Sequence, residues 1–179
     1  MNKHLFVDNS NVWIEGMKVS AVAKGIVPDI FHASEYRITD SLWRIDFGKL
    51  YQVLNGANVV DAFLYGSTPP PNDSLWHKAG QAGFQVRTFE RSRYNNKEKK
   101  VDGQIAADMF ELAVDLKTQS QHEIILIAGD ADYVPVIEKI KKRGVKLTVA
   151  FWDHASRELI QVADQFISLN ELRDVIAWT

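Results

Sequence analysis

The stretch Ile124-Ile-Leu-Ile-Ala-Gly-Asp-Ala-Asp132-Tyr-Val-Pro135 runs a continuous apolar strand directly into two carboxylates one residue apart. A run of that length and apolarity suits a strand buried on both faces, the environment of a parallel sheet covered by helices. Carboxylates placed just past the end of such a strand sit where α/β proteins gather functional groups. A second junction of the same kind opens the chain, where His4-Leu-Phe-Val7 meets Asp8-Asn-Ser-Asn11, and a third acid, Asp102, opens a helical pattern after a basic segment.

Outward from these junctions the chain alternates strand and helix. Strands are expected at His4–Val7, Val59–Tyr65, Phe84–Phe89, Glu123–Ala128, Val145–Phe151 and Gln165–Ser168. Helices are expected at Phe47–Asn55, Ser74–Ala82, Asp102–Lys117, Tyr133–Lys142 and Ala155–Ala163, punctuated by Asn55-Gly, Pro69-Pro-Pro71 and Arg143-Gly. This alternation predicts an α/β fold, a Rossmann-like doubly wound and mainly parallel sheet of about five to six strands with right-handed crossovers. Residues 24–44, with Gly25, Pro28, Phe31 and Tyr36, fit the alternation least and read as an insertion or flap.

Composition narrows the chemistry. At 179 residues and 46% hydrophobic content the chain can bury roughly 70% of its unfolded surface, enough for one core. Cysteine is absent, which excludes disulfides, thiol catalysis and thiolate metal sites, and the five histidines are too scattered for a zinc constellation. No stretch approaches the ~20 apolar residues that span a bilayer, so a cytoplasmic protein is expected. A net charge of −2 leaves nucleic-acid affinity to local patches. One such patch is the stretch from Arg87 to Lys100, with Arg91, Arg93, Lys97, Lys99 and Lys100 around Tyr94, a candidate grip on a phosphate backbone with an aromatic ring for stacking. Ser156, before a helix, is a second candidate phosphate contact or a plain N-cap. The five tryptophans read as packing, with Trp13 excepted as a base platform because it follows the Asp8 loop.

On the expected helix from Asp102, the positions Ile105, Met109, Leu112, Ala113 and Leu116 form an apolar stripe that Asp102 leads, whereas Asp108 falls with Gln104, Glu111 and Asp115 on the polar face. If Asp8, Asp102, Asp130 and Asp132 share one pocket, each pair at ~4 Å repels by about 4 kcal/mol at an effective dielectric of ~20. An oxygen-bound cation, Mg²⁺ or Mn²⁺, relieves that repulsion and can activate water against a phosphodiester.

These motifs together resemble the NYN domain family of the PIN-like ribonuclease superfamily. Phe6-Val-Asp8-Asn-Ser-Asn11 resembles its opening motif, and Arg44-Ile-Asp46 with Tyr65-Gly-Ser67 its next helix and strand. Lys100-Val-Asp102 with Asp108 resembles its central helix, Ala128-Gly-Asp130-Ala-Asp132-Tyr its Ser-Gly-Asp-x-Asp-Phe motif, and Ser156 with Ala163-Asp164-Gln-Phe166 its tail. The resemblance implies one domain over 1–179 and a metal-dependent nuclease with catalytic Asp8, Asp102, Asp130 and Asp132. It sets Asn11 beside that cluster and restores Asp108 as a candidate against the polar-face reading. In the expected assignment Asp8, Asp130 and Asp132 hold the metal. Asn11, Ser67, Arg91, Arg93, Tyr94, Lys97, Lys99, Lys100 and Ser156 contact substrate. The expected partner is RNA, single-stranded or structured; homo-oligomers remain open. Ala128 departs from the family's serine. The competing expectations are a non-catalytic RNA-binding or adaptor protein that keeps the metal pocket, and, third, a Toprim-like enzyme, which needs a Glu where Asp8 stands.

Overall fold

The computed structural model describes residues 1–54, 56–68, 73–90 and 101–179. Six strands form one parallel sheet: β1 (Asn2–Asp8), β2 (Val59–Thr68), β3 (Gln85–Glu90), β4 (His122–Ile127), β5 (Lys146–Phe151) and β6 (Gln165–Ser168). Their order is β3-β2-β1-β4-β5-β6, so the direction of winding reverses between β1 and β4. That is the doubly wound order whose functional crevice lies beyond the carboxyl ends at the reversal. The two carboxylate-bearing junctions of the sequence belong to these two strands.

The apolar run that suggested a buried strand is buried. Ile124, Ile125, Leu126, Ile127 and Ala128 are each at most 1% exposed. Both faces of the sheet are therefore covered, as a continuous rather than alternating apolar pattern requires. Neighbouring residues of β2 identify the two layers, because successive side chains of a strand point to opposite faces. At Gly66 an added Cβ would lie 2.4 Å from the ring of Trp76 on α4 (Asp73–Gln81), while the Tyr65 hydroxyl donates to Asp108 on α5 (Val101–Asp115). α5 buries Val101, Ile105, Met109 and Ala113, a strict four-residue repeat, and packs beside α6 (Val134–Lys141).

Two helices were not foreseen. α1 (Asn9–Ala23) has 15 residues and shows no single apolar stripe because three of its faces have different neighbours. Val12, Gly16 and Val19 face the core, Asn11 and Glu15 face the acidic crevice, and Asn9, Trp13 and Met17 line a cavity. Within 24–44, α2 (Ile30–Glu35) is capped by Asp29, whose side chain accepts from the His32 amide. It rests on the second half of α1 through Ala21, Val27 and Ala33, a small cluster separate from the main core. Buried Asp40 accepts from Ser20 Oγ at 2.6 Å and pairs with Lys24 at 2.7 Å, fixing the return of this segment. α3 (Phe47–Val53) follows, and α7 (Arg157–Val162) precedes β6. The chain end returns to the start of α3, with the Trp178 amide donating to the Arg44 carbonyl at 2.8 Å.

Candidate acidic site at the switch point

Asp8 ends β1 and caps α1, its side chain accepting from the Asn11 amide at 3.1 Å. It is only 3% exposed, a costly position for a carboxylate outside a functional site. The cap turns Asn11 toward β4, where its Oδ1 accepts from the Gly129 amide at 2.8 Å and its Nδ2 donates to Asp130 Oδ2 at 2.9 Å. One asparagine thus clamps the tips of the two strands at the reversal. Gly129 has to be glycine, since a Cβ there would lie 2.1 Å from the Phe151 ring. Ser156 braces the same tip through its amide, which donates to the Gly129 carbonyl at 2.9 Å, and its side chain makes no cap hydrogen bond.

Asp130 is followed by a 3-10 turn, Ala131–Tyr133, that carries Asp132 outward and Tyr133 inward. The buried Tyr133 hydroxyl lies 3.4 Å from Asp8 Oδ2 and 3.4 Å from Asp102 Oδ1, so its single proton serves two carboxylates. Burial, with Asp8, Asp102 and Asp130 around it, raises its pKa far above the ordinary phenol value, so the ring stays a neutral donor. The Asp130 carboxyl is also raised, first by burial and then by Asp102, Asp132 and Glu15. Asp8, Asp102, Asp130 and Asp132 therefore share one electrostatic neighbourhood.

That neighbourhood suits a hard divalent cation in two respects. Its donors are carboxylate, amide and phenol oxygens, and its excess negative charge lifts the proton affinity of Asp130. Among the described residues, no three carboxylates or imidazoles stand close enough together to hold an ion as placed. The fit rests on chemistry and charge rather than on a finished ligand sphere.

Several expected residues lie elsewhere. Asp108 does not face solvent as the polar stripe predicts. Its side chain, 11% exposed, accepts from Tyr65 Oη at 2.7 Å, from Gln104 Nε2 at 2.6 Å and from Arg87. The reason is Arg87, which β3 carries 4.7 Å over the Phe63 ring, presenting a cation to that face of α5. Ser67, 6% exposed, lies in the wall of the neighbouring cavity. Arg91, Arg93, Tyr94, Lys97, Lys99 and Lys100 fall outside the described residues.

Sequence reading missed Tyr133 as a participant, and it missed Glu15. Glu15 stands four residues after Asn11 on the same helical face, a signal available once α1 is recognised. It bonds His154 Nε2 and Lys18 Nζ, both at 2.7 Å. Burial raises its pKa, but these two partners outweigh burial and hold it below the usual carboxylate range.

On the other side of α1 lies a cavity of about 590 Å³. Its walls include Trp13, Trp76 and Trp178; Trp76 also packs on the core as expected of the tryptophans, and Trp43 and Trp152 pack edge to face at 5.6 Å within it. Asn9 Oδ1 and Trp13 Nε1 are buried without a hydrogen-bond partner, a state that costs on the order of 1–3 kcal/mol for each group.

Comparison with known proteins agrees with this architecture. A low amplitude and bright protein LabA from Synechococcus elongatus is 26% identical over 132 residues, covering 68% of this chain and 68% of its own. A crystal structure of a protein of unknown function from Vibrio parahaemolyticus shares the fold, with a TM-score of 0.68 at 22% identity over 99% of this chain and 96% of that one. The NYN domain family model matches residues 5–170, which include both strands of the reversal and all four acids, and the chain therefore belongs to the NYN domain family, with its PIN-like, nuclease-type fold.

Proposed function

We propose that this protein is a metal-dependent ribonuclease that hydrolyses RNA phosphodiester bonds at the β1–β4 switch point. One observation carries the reading: three acids, Asp8 on β1, Asp102 on the first turn of α5 and Asp130 beyond β4, meet Tyr133 or Asn11, with Asp132 near enough to help hold Asp130 above its ordinary pKa, which burial raises first. Asp8, Asp130 and Asp132 would hold Mg²⁺ or Mn²⁺. When bound, such an ion supplies an activated water and a positive charge beside the departing oxygen.

The chain's own groups do the rest. Asn11 fixes the Asp130 carboxylate through its amide nitrogen and locks the strand tip through its carbonyl oxygen. Tyr133 keeps its proton and shares it between Asp8 and Asp102, which sets the facing oxygens of both. Asp102, at the start of α5, would complete the cluster and orient a water. The basic stretch 91–100 immediately precedes α5 in the chain and would hold the phosphate backbone. Residues 1–179 act as one domain in this assignment, with 24–44 as its insertion and RNA in the cytoplasm as its substrate. Among the described residues no helix is long and apolar enough to cross a membrane.

The adaptor alternative keeps one specific support, Ala128 in place of the family's serine beside Gly129. Incubating the protein with RNA and DNA oligonucleotides under Mg²⁺, Mn²⁺ or chelator separates the two. Metal-dependent RNA cleavage is expected; binding without cleavage under any metal would favour the adaptor. Replacing Arg91, Arg93, Lys97 and Lys99 together by Ala should weaken RNA binding and flatten its salt dependence by about 0.7 per lost phosphate contact.

A further inference from the structure

We infer that the cavity beside α1 receives an unpaired nucleobase of the RNA strand whose backbone crosses the acidic site. The inference rests on the ribonuclease reading and sharpens its substrate to single-stranded RNA. Four observations point to such a ligand.

Position comes first. The first turn of α1 separates the two sites: Asn11 faces Asp130, while Asn9, Ser10 and Trp13 line the cavity. The end of β2, at Ser67, and the first half of α4, at Ser74 and Trp76, also border it. β4, β1 and β2 are consecutive in the sheet, and strands lie ~4.8 Å apart, so the tips of β4 and β2 are separated by about 10 Å. Neighbouring nucleotides of one strand cover that distance.

Size and lining come second. A volume of about 590 Å³ falls in the range of small-molecule sites, roughly 300–1,000 Å³. Three indoles in one cavity supply flat apolar surface suited to a base, and base–aromatic stacking tolerates any base identity. Trp178 is 50% exposed even though it belongs to this wall, and Gly66 is the glycine that lets Trp76 lie against β2.

Charge is the third point. Lys78 Nζ sits 4.0 Å above the Trp178 ring, and Arg44 lines the same cavity. Two cations beside these indoles suit a base that carries its own phosphate. The one carboxylate in the lining, Asp46, is engaged as the cap of α3 and accepts from the Lys49 amide at 3.1 Å.

The fourth observation is the unmatched pair. Asn9 is 5% exposed, and its Oδ1 is an acceptor without a donor; Trp13 Nε1, four residues on and on the same helical face, is a donor without an acceptor. Both atoms are closed to solvent as the wall stands, and a nucleobase edge, with adjacent donor and acceptor groups, would complement the pair once the side chains turn to meet it.

The test uses the intact chain in chelator with a 2′-O-methyl RNA strand of about eight nucleotides, so binding is read without cleavage. Tryptophan fluorescence and anisotropy are followed for that strand, for its duplex, for an abasic strand of equal length, and for AMP. The single strand should quench the tryptophans and bind at least tenfold more tightly than the duplex or the abasic strand. Trp178→Ala, at a half-exposed position, should weaken binding roughly ten- to hundredfold, and Trp13→Phe, which keeps a ring but removes the N–H, should weaken it less. AMP displacing the strand would support a base pocket; AMP binding through Trp178 with no strand binding would replace the proposal by a free-nucleotide site. Equal affinity for the single and abasic strands, or unchanged affinity in Trp178→Ala, would overturn it. Trp178→Ala that cleaves RNA with unchanged KM would also overturn it while leaving the ribonuclease reading intact.

Discussion

The same sheet presents two very different ends. At the amino ends of the strands, the described buried charges are matched. Glu123, 4% exposed, accepts from Thr148 Oγ1 at 2.5 Å and pairs with Lys146 at 3.0 Å and Lys3 at 3.7 Å. His4, 2% exposed, lies 2.8 Å from Asp61 and 2.9 Å from His122. At the carboxyl ends Asp130 and Asp132 have no Lys or Arg partner among the described residues, and two further carboxylates press in from β1 and α5. Burial alone therefore does not distinguish structure from function; burial with or without a matching charge does. The first end should respond to mutation through stability, the second through chemistry.

The largest effect should follow from attacking the carboxyl end. Asp8→Asn or Asp130→Asn should lower single-turnover RNA cleavage under Mn²⁺ by at least about a hundredfold, since metal activation and positioning each supply several kcal/mol and each decade costs about 1.4 kcal/mol. Asp115→Asn, on an exposed position of α5, should leave the rate near wild type, with folding of all variants checked by circular dichroism. Cleavage that persists in Asp130→Asn would move the chemistry to another site.

Metal should relieve the same end. An ion that binds only the folded protein, at ~100 times its dissociation constant, adds about 2.7 kcal/mol. For a chain of this size that raises Tm by about 5–10 °C, a shift that Asp130→Asn should reduce. An unchanged melt in millimolar Mn²⁺ would remove the shared metal site.

The two ends should also differ in sign. In chelator, Asp130→Asn removes a carboxylate that burial and its neighbours disfavour, and should raise Tm slightly while Asn11 keeps a carbonyl oxygen to bond. Glu123→Ala strands the buried Thr148 hydroxyl and should cost on the order of 1–3 kcal/mol. Cleavage by Glu123→Ala, measured where it is folded, should match wild type. Destabilisation by both substitutions would erase the contrast between the ends.

The matched and unmatched ends were unequally legible in sequence. Asp8, Asp130 and Asp132 could be found because a parallel strand announces its carboxyl end by an apolar run that stops at a carboxylate. The other strands could be found from their apolar and β-branched runs bounded by turn residues, without a carboxylate to mark the end. α1 could not, because its three faces meet core, acids and cavity, and no apolar stripe survives such mixed surroundings. With α1 unseen, Glu15 and the cavity behind Trp13 were out of reach. Asp108 misled for the opposite reason: its stripe is polar, yet Arg87, distant in sequence, supplies the charge that draws it inward. Trp76 and Trp178 are 102 residues apart in number and meet one cavity only through the fold. The clamp by Asn11 and the brace by Ser156 likewise depend on strand order, which periodicity does not encode.

The smallest expected effect sharpens the comparison at its matched end. Burial lowers the pKa of His4 more than the hydrogen bond and charge of Asp61 raise it, with nearby His122 lowering it further, so the net shift is downward from 6.5. Between that lowered value and 6.5 the unfolded chain binds more protons than the folded one, so stability rises with pH across the window. The contribution is complete above pH 6.5 and is lost as pH falls through the folded value. One such group changes stability by at most about 1.4 kcal/mol per pH unit. Urea unfolding at pH 7.5, 6.5 and 5.5 should therefore show wild-type stability declining toward acid, and His4→Gln, whatever its absolute stability, should decline less steeply. Parallel slopes for the two proteins would mean that Asp61 balances the burial of His4, so that protonation of this histidine is not coupled to folding.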